Sequence, residues 1–121
     1  MSLALVVDDN RSTADTMVQI LLALGIQARA AYGAQPALSI LSAHVPSMVF
    51  LDVNMPGVNG LELLKFIQRD PRLSRVPVFV VTSDDQWETR NKAIQGGARD
   101  VLIKPATVET VEQALRDARV L

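Results

Sequence analysis

The chain has 121 residues, enough for one real core, of which 49% are hydrophobic and 21% charged, with a net charge of −1. That balance argues against an electrostatic grip on nucleic acid or on an anionic membrane, and the absence of cysteine removes disulfides and thiolate metal sites. The first apolar run, residues 3–7, is cut off by Asp8-Asp9, too early for a signal peptide or a membrane span, so a soluble cytoplasmic domain is expected.

That first run, rich in Leu and Val with no polar alternation, has the character of a parallel strand covered on both faces. Met17, Ile20, Leu21 and Leu24 then recur at helical spacing, and Gly25 supplies a stop. Residues 26–30 alternate, as a half-exposed edge strand does. Leu38 and Leu41 mark a second helix with Pro36 in its first turn. A second buried run, 48–51, precedes a helix marked by Leu63, Phe66 and Ile67, which Asp70-Pro71 ends. Residues 76–81 form the fourth strand. The stretch 87–95 is the weakest helix: only Trp87 and Ile94 are large and apolar, and Gly96-Gly97 follows at once. It should be the least firmly docked element, with Trp87 a partly buried packing residue. Residues 101–103 give the last strand, and Val108, Val111, Leu115 and Ala118 the last helical stripe. All these stripes are expected to face the core.

Five strand–helix units in strict alternation predict an α/β fold, a doubly wound open parallel sheet with helices on both faces. The working site of such a sheet lies beyond the carboxyl ends of its strands. Those ends carry chemistry. Strand one stops at Asp8-Asp9, strand three at Asp52, strand four at Thr82-Ser83 and strand five at Lys104-Pro105. If strands one and three are neighbours, three carboxylates converge. Each pair repels by roughly 1–4 kcal/mol at contact distance, so the cluster calls for a cation. Oxygen-only ligands suit a hard ion such as Mg²⁺, with Mn²⁺ as a substitute. A carboxylate beside that ion, an ammonium and a hydroxyl is a phosphoryl-accepting arrangement. Asp52 would be the in-line nucleophile, Lys104 a fixed positive charge, and Thr82 a hydroxyl for a phosphoryl oxygen. After Asp52, Met55 anchors the loop, Pro56 and Gly57 set its path, Asn59-Gly60 forms a turn, and the Asn54 carbonyl is placed to complete the metal site.

With "DVNMPGVNG" from Asp52, the acidic pair after strand one, Thr82 after "VFVV" and Lys104-Pro105 after "DVLI", the chain resembles the receiver domain of two-component response regulators over essentially its whole length. The resemblance implies a single flavodoxin-like (βα)₅ domain over residues 1–121, strand order 2-1-3-4-5, with no output domain. It implies Mg²⁺-dependent transfer of a phosphoryl group from the histidine of a partner kinase or phosphotransfer protein onto Asp52, and a phosphoacceptor regulator rather than an enzyme, with self-catalysed phosphotransfer and autodephosphorylation only. Asp9 would bind the metal directly, Asp8 directly or through water, and Asn54 through its main-chain carbonyl. Lys104 would pair with the phosphoryl group, and the Lys104–Pro105 bond would be cis. The signalling surface would be helix four, strand five and helix five, which a downstream target, a fused output domain or a phosphorylation-dependent second copy would read.

One position departs from the family pattern. Receivers often carry an aromatic residue three positions before the lysine, and here it is Val101. Asn54 and Asp84, two after the acceptor and two after Thr82, occupy positions that tune acyl-phosphate lifetime, and their polarity predicts a short to moderate one. His44, the single histidine, is expected on the surface at the opposite sheet edge. A haloacid-dehalogenase-like phosphohydrolase would place D-x-D on its first strand, and a flavin or dinucleotide module would need a Gly- or Ser/Thr-rich first loop. The stronger alternative is a receiver-like interaction module that works without phosphorylation, for which Val101 speaks.

Overall fold

The apolar runs become strands because branched and large aliphatic side chains fit a pleated surface that is covered on both sides. A computed structural model describes residues 3–55 and 60–121; Pro56, Gly57 and Asn59, expected to shape the loop after Asp52, lie outside the described residues. The elements alternate: β1 (Ala4–Val7), α1 (Arg11–Ala23), β2 (Ala28–Ala31), α2 (Ala34–Ala43), β3 (Met48–Asp52), α3 (Gly60–Arg69), β4 (Val78–Thr82), α4 (Trp87–Gln95), β5 (Asp100–Ile103) and α5 (Val108–Asp117). All strand pairs are parallel, in the order β2-β1-β3-β4-β5. The order reverses between β1 and β3, and that is the switch point.

Alternate strand residues feed two cores. Val7, Leu51 and Val80 face α2, α3 and α4, where Leu41, Leu64 and Ile67 meet them. Val6, Phe50 and Phe79 face α1 and α5, against Met17, Leu21 and Leu115. Phe50 and Phe79 stack with ring centroids 5.0 Å apart, as their cross-strand register requires.

The helices are not anchored equally. α1 buries Ala14, Met17, Ile20 and Leu21, whereas α4 buries only Ala93. Weak docking of α4 was legible, but Trp87 corrects the expectation of a packing residue: it opens the helix and is 72% exposed. Phe66 also leaves the predicted stripe and is 43% exposed. The buried positions of α3 are Gly60, Leu63, Leu64 and Ile67, and Phe66 sits about 100° away from Ile67 on the helix. Val108, first in α5, is exposed as well.

Gly25 and Gly60 are among the glycines the backbone requires. Gly25 closes α1 at φ +82°, the left-handed conformation that lacks a penalty only for glycine. At Gly60 a Cβ would lie 2.5 Å from Val53 Cα and 2.8 Å from the Asp52 carbonyl oxygen. Nothing larger lets α3 start against the end of β3. Among the described residues no helix is long and apolar enough to cross a membrane.

Candidate functional site

Strand register builds the site. Val7 pairs with Leu51, so the next residues, Asp8 just past β1 and Asp52 at the end of β3, lie side by side at the carboxyl edge of the sheet. Thr82 pairs with Ile103, and the following Lys104 N–H donates to the Thr82 carbonyl at 2.8 Å. The Lys104 ammonium bridges the two acids, 3.3 Å from Asp8 Oδ2 and 3.2 Å from Asp52 Oδ2. Each carboxylate uses its other oxygen on the chain two residues ahead: Asn10 N–H donates to Asp8 Oδ1 at 3.0 Å, and Asn54 N–H to Asp52 Oδ1 at 2.9 Å. Both acids are buried, with 4% and 3% of their surface exposed, and Asp9 is exposed beside them.

The N-cap of α1 is Asn10, whose side chain accepts from Thr13 N–H. Asp8 is thereby freed for the site. Burial, ahead of every other cause, pushes its carboxyl above the usual range, although Asn10 N–H and Lys104 pull the other way and Asp52 adds to the rise.

Oxygens of Asp8, Asp9 and Asp52 all lie within 4.8 Å of one another. That donor set, all oxygen and carrying more negative charge than one lysine offsets, fits a hard divalent cation.

The sequence of residues 4–116 matches the profile described as the response regulator receiver domain. The chain is a response regulator receiver domain. It is 33% identical over 115 residues to Protein RcaC of Microchaete diplosiphon, covering 95% of this chain but spanning only 17% of RcaC. The receiver also superposes on the chemotaxis protein CheY4 of Vibrio cholerae with a TM-score of 0.89 at 27% identity, covering 100% of this chain and 99% of that one. A response regulator from Burkholderia pseudomallei, solved with a phosphorylated aspartic acid, calcium ion and citrate, gives a TM-score of 0.86 at 27% identity over 99% of this chain and 70% of that one. Receivers are phosphoacceptor signalling modules, generally not catalytic enzymes, that interact with histidine kinases or phosphotransfer proteins and with output targets.

The remaining residues of this receiver divide into those the fold gathers and those it does not. Thr82, fully buried, donates through its hydroxyl to Asn54 Oδ1 at 2.7 Å. Ser83 is exposed, but its N–H reaches the same oxygen at 3.3 Å. The Lys104–Pro105 peptide is cis, and Pro105 and Lys104 border a cleft of about 410 Å³ that α1 lines with Thr13, Thr16 and Met17. Val101 is buried beneath α4, and its carbonyl accepts from Arg90 at 3.4 Å. His44 is exposed at the far edge of the sheet, next to Val45 and Pro46.

Sequence reasoning missed two features. The Asn54 side chain, expected to tune acyl-phosphate lifetime and to neighbour a metal-binding carbonyl, also holds the Thr82 hydroxyl. Asp84 accepts from Gln86 N–H at 2.9 Å and from the Thr89 hydroxyl. Those two bonds, Thr89 first, hold its carboxyl below the usual range. An aspartate three residues before a helix is a recognisable turn signal, and it could have pointed to the first of these bonds.

Proposed function

We propose that Asp52 accepts a phosphoryl group from the histidine of a partner kinase or phosphotransfer protein. The single observation that carries this is the pair of buried acids, Asp8 and Asp52, bridged by one ammonium at the carboxyl edge of the sheet. Asp52 Oδ1 is engaged by Asn54 N–H, so Oδ2, facing Lys104, is the attacking oxygen. It forms the P–O bond as the donor's P–N bond breaks, and the bonding pair leaves with the imidazole. Lys104 then follows the charge onto the phosphoryl oxygens, where a preorganised cation is worth far more than in water.

Asp8, Asp9, Asp52 and the Asn54 carbonyl would hold Mg²⁺ or Mn²⁺. When bound, the ion supplies positive charge against the carboxylates and the incoming phosphoryl oxygens. The open cleft between α1 and Pro105 leaves the edge beside Lys104 accessible to a donor side chain. Readout falls to the face of α4, β5 and α5, where Trp87, Ile94 and Ile103 are exposed to a target, an output domain or a second copy. The phosphorylated aspartic acid of the Burkholderia protein supports the same chemistry.

The test is intact mass after incubation with Mg²⁺ and a small acyl-phosphate donor. One Mg²⁺-dependent phosphoryl adduct is expected, absent in Asp52→Asn, decaying well within a day in keeping with polar Asn54 and Asp84. No adduct from either a small donor or a phosphorylated histidine donor would refute the proposal and favour an interaction module that works without phosphorylation.

A further inference from the structure

Helix α4 meets the sheet with little apolar adhesion, since Ala93 is its one buried residue and the side chain beneath it at Val101 is small. What links the helix to the site is polar. The Thr89 hydroxyl, in the first turn of α4, donates to Asp84 Oδ2. Asp84 N–H donates to Thr82 Oγ1 at 3.0 Å, and Thr82 Oγ1 donates to Asn54 Oδ1 at 2.7 Å. Ser83 N–H approaches the same Asn54 atom. A backbone N–H can only donate, so that atom must be the amide oxygen. An unbroken run of hydrogen bonds thus leads from a residue two positions after Asp52 to α4.

A hydroxyl has one proton to give. Here Asn54 holds it, so Thr82 can serve an oxygen of a phosphoryl group on Asp52 only by letting go of Asn54. We propose that the Asn54 side chain is the resting latch on Thr82, and that Asp84 and Thr89 are positioning residues that carry its release into α4. The inference rests on Asp52 being the phosphoacceptor. When Thr82 turns, the Asp84 backbone loses or follows its acceptor, and the Thr89 bond draws the first turn of α4 with it. Opposing that movement are Ala93 and Arg90, the latter bonded to Asp100 Oδ1 at 3.1 Å and to the Val101 carbonyl.

The test compares wild type, Thr89→Val, which removes the hydroxyl and keeps the shape, and Thr89→Ser, which restores it. Hydrogen exchange of amides 87–95 is followed before and after the acyl phosphate, with adduct yield read by intact mass. In the resting protein Thr89→Val should exchange about threefold faster in α4, or more, with Thr89→Ser matching wild type. At equal adduct yield, α4 exchange should change in wild type and Thr89→Ser and stay flat in Thr89→Val. A full response in Thr89→Val, or a fully phosphorylated wild type with unchanged α4, would overturn the inference. Absence of any adduct on wild type would instead strike the phosphoacceptor reading, and the switch with it. The resting exchange rates would then report separately on whether the Thr89 tie exists.

Discussion

Replacing Asp8 by asparagine removes one of two buried charges while keeping the shape of the side chain. At an effective dielectric of about 20, like charges near the 4.8 Å limit repel by roughly 3 kcal/mol, and the ammonium 3.3 Å from Asp8 attracts it by roughly 5 kcal/mol. Exposed Asp9 adds a smaller repulsion, so the pairwise effects nearly cancel and burial decides the sign. Taking a carboxylate with 4% of its surface exposed out of water costs a few kcal/mol, more than burying a neutral amide. Without divalent cation at pH 7, Asp8→Asn should therefore be more stable than wild type by about 1–3 kcal/mol, a rise in Tm of roughly 5–10 °C for a chain of 121 residues. The pH dependence follows from the raised carboxyl of Asp8. The fold binds its proton more tightly than the unfolded chain, so wild type carries no penalty below the ordinary carboxylate value of about 3.9 and acquires it as pH rises through the folded value. The advantage of Asp8→Asn should accordingly be full at pH 7 and fade toward pH 4. Saturating Mg²⁺ should stabilise wild type more than the variant and narrow the gap. Calorimetry in chelator and in Mg²⁺ measures all three. A variant no more stable than wild type at pH 7, or a gap independent of pH, would refute the reasoning.

Lys104→Met leaves both acids buried without their cation; stability in chelator should fall by about 2 kcal/mol or more by denaturant titration. Its rate of adduct formation should drop about 100-fold, read by intact mass over time. Gly60→Ala forces a Cβ against backbone that cannot yield, and Tm should fall by roughly 5–10 °C in calorimetry. Trp87→Gln, at an exposed site, should move Tm by no more than about 2 °C. The Asp84 carboxyl should titrate below about 3.9 by NMR, and Thr89→Val should return it toward that value. Any stability the Asp84 bonds supply is present above the ordinary value and lost only as pH falls through the lower folded one.

Strand ends were the legible part of this molecule. A buried parallel strand reads as a continuous apolar run, so the residue that stops it is conspicuous, and Asp8, Asp52, Thr82 and Lys104 were all found that way. Parallel register then did the rest, because Val7 opposite Leu51 leaves no other place for the acids. Helix faces were less legible. Phe66 fits a hydrophobic stripe by composition yet lies off the face that Leu63 and Ile67 define, and Trp87 was read as packing because it is large, although the first residue of a helix has little to pack against. Least visible were bonds between polar side chains far apart in sequence. Asn54 and Thr82 are 28 positions apart, and no periodicity links them; only the adjacency of β3 and β4 does.

Unequal anchoring of the helices has an evolutionary consequence. Core positions on α1 are constrained by close packing, and most changes there are penalised. On α4 every position but Ala93 faces solvent at least in part, and among the described residues the side-chain ties of Thr89 and Arg90, rather than a packed stripe, fix the helix. Substitutions along its outer surface cost little stability, so that surface can diverge while the acidic site and the sheet beneath stay as they are.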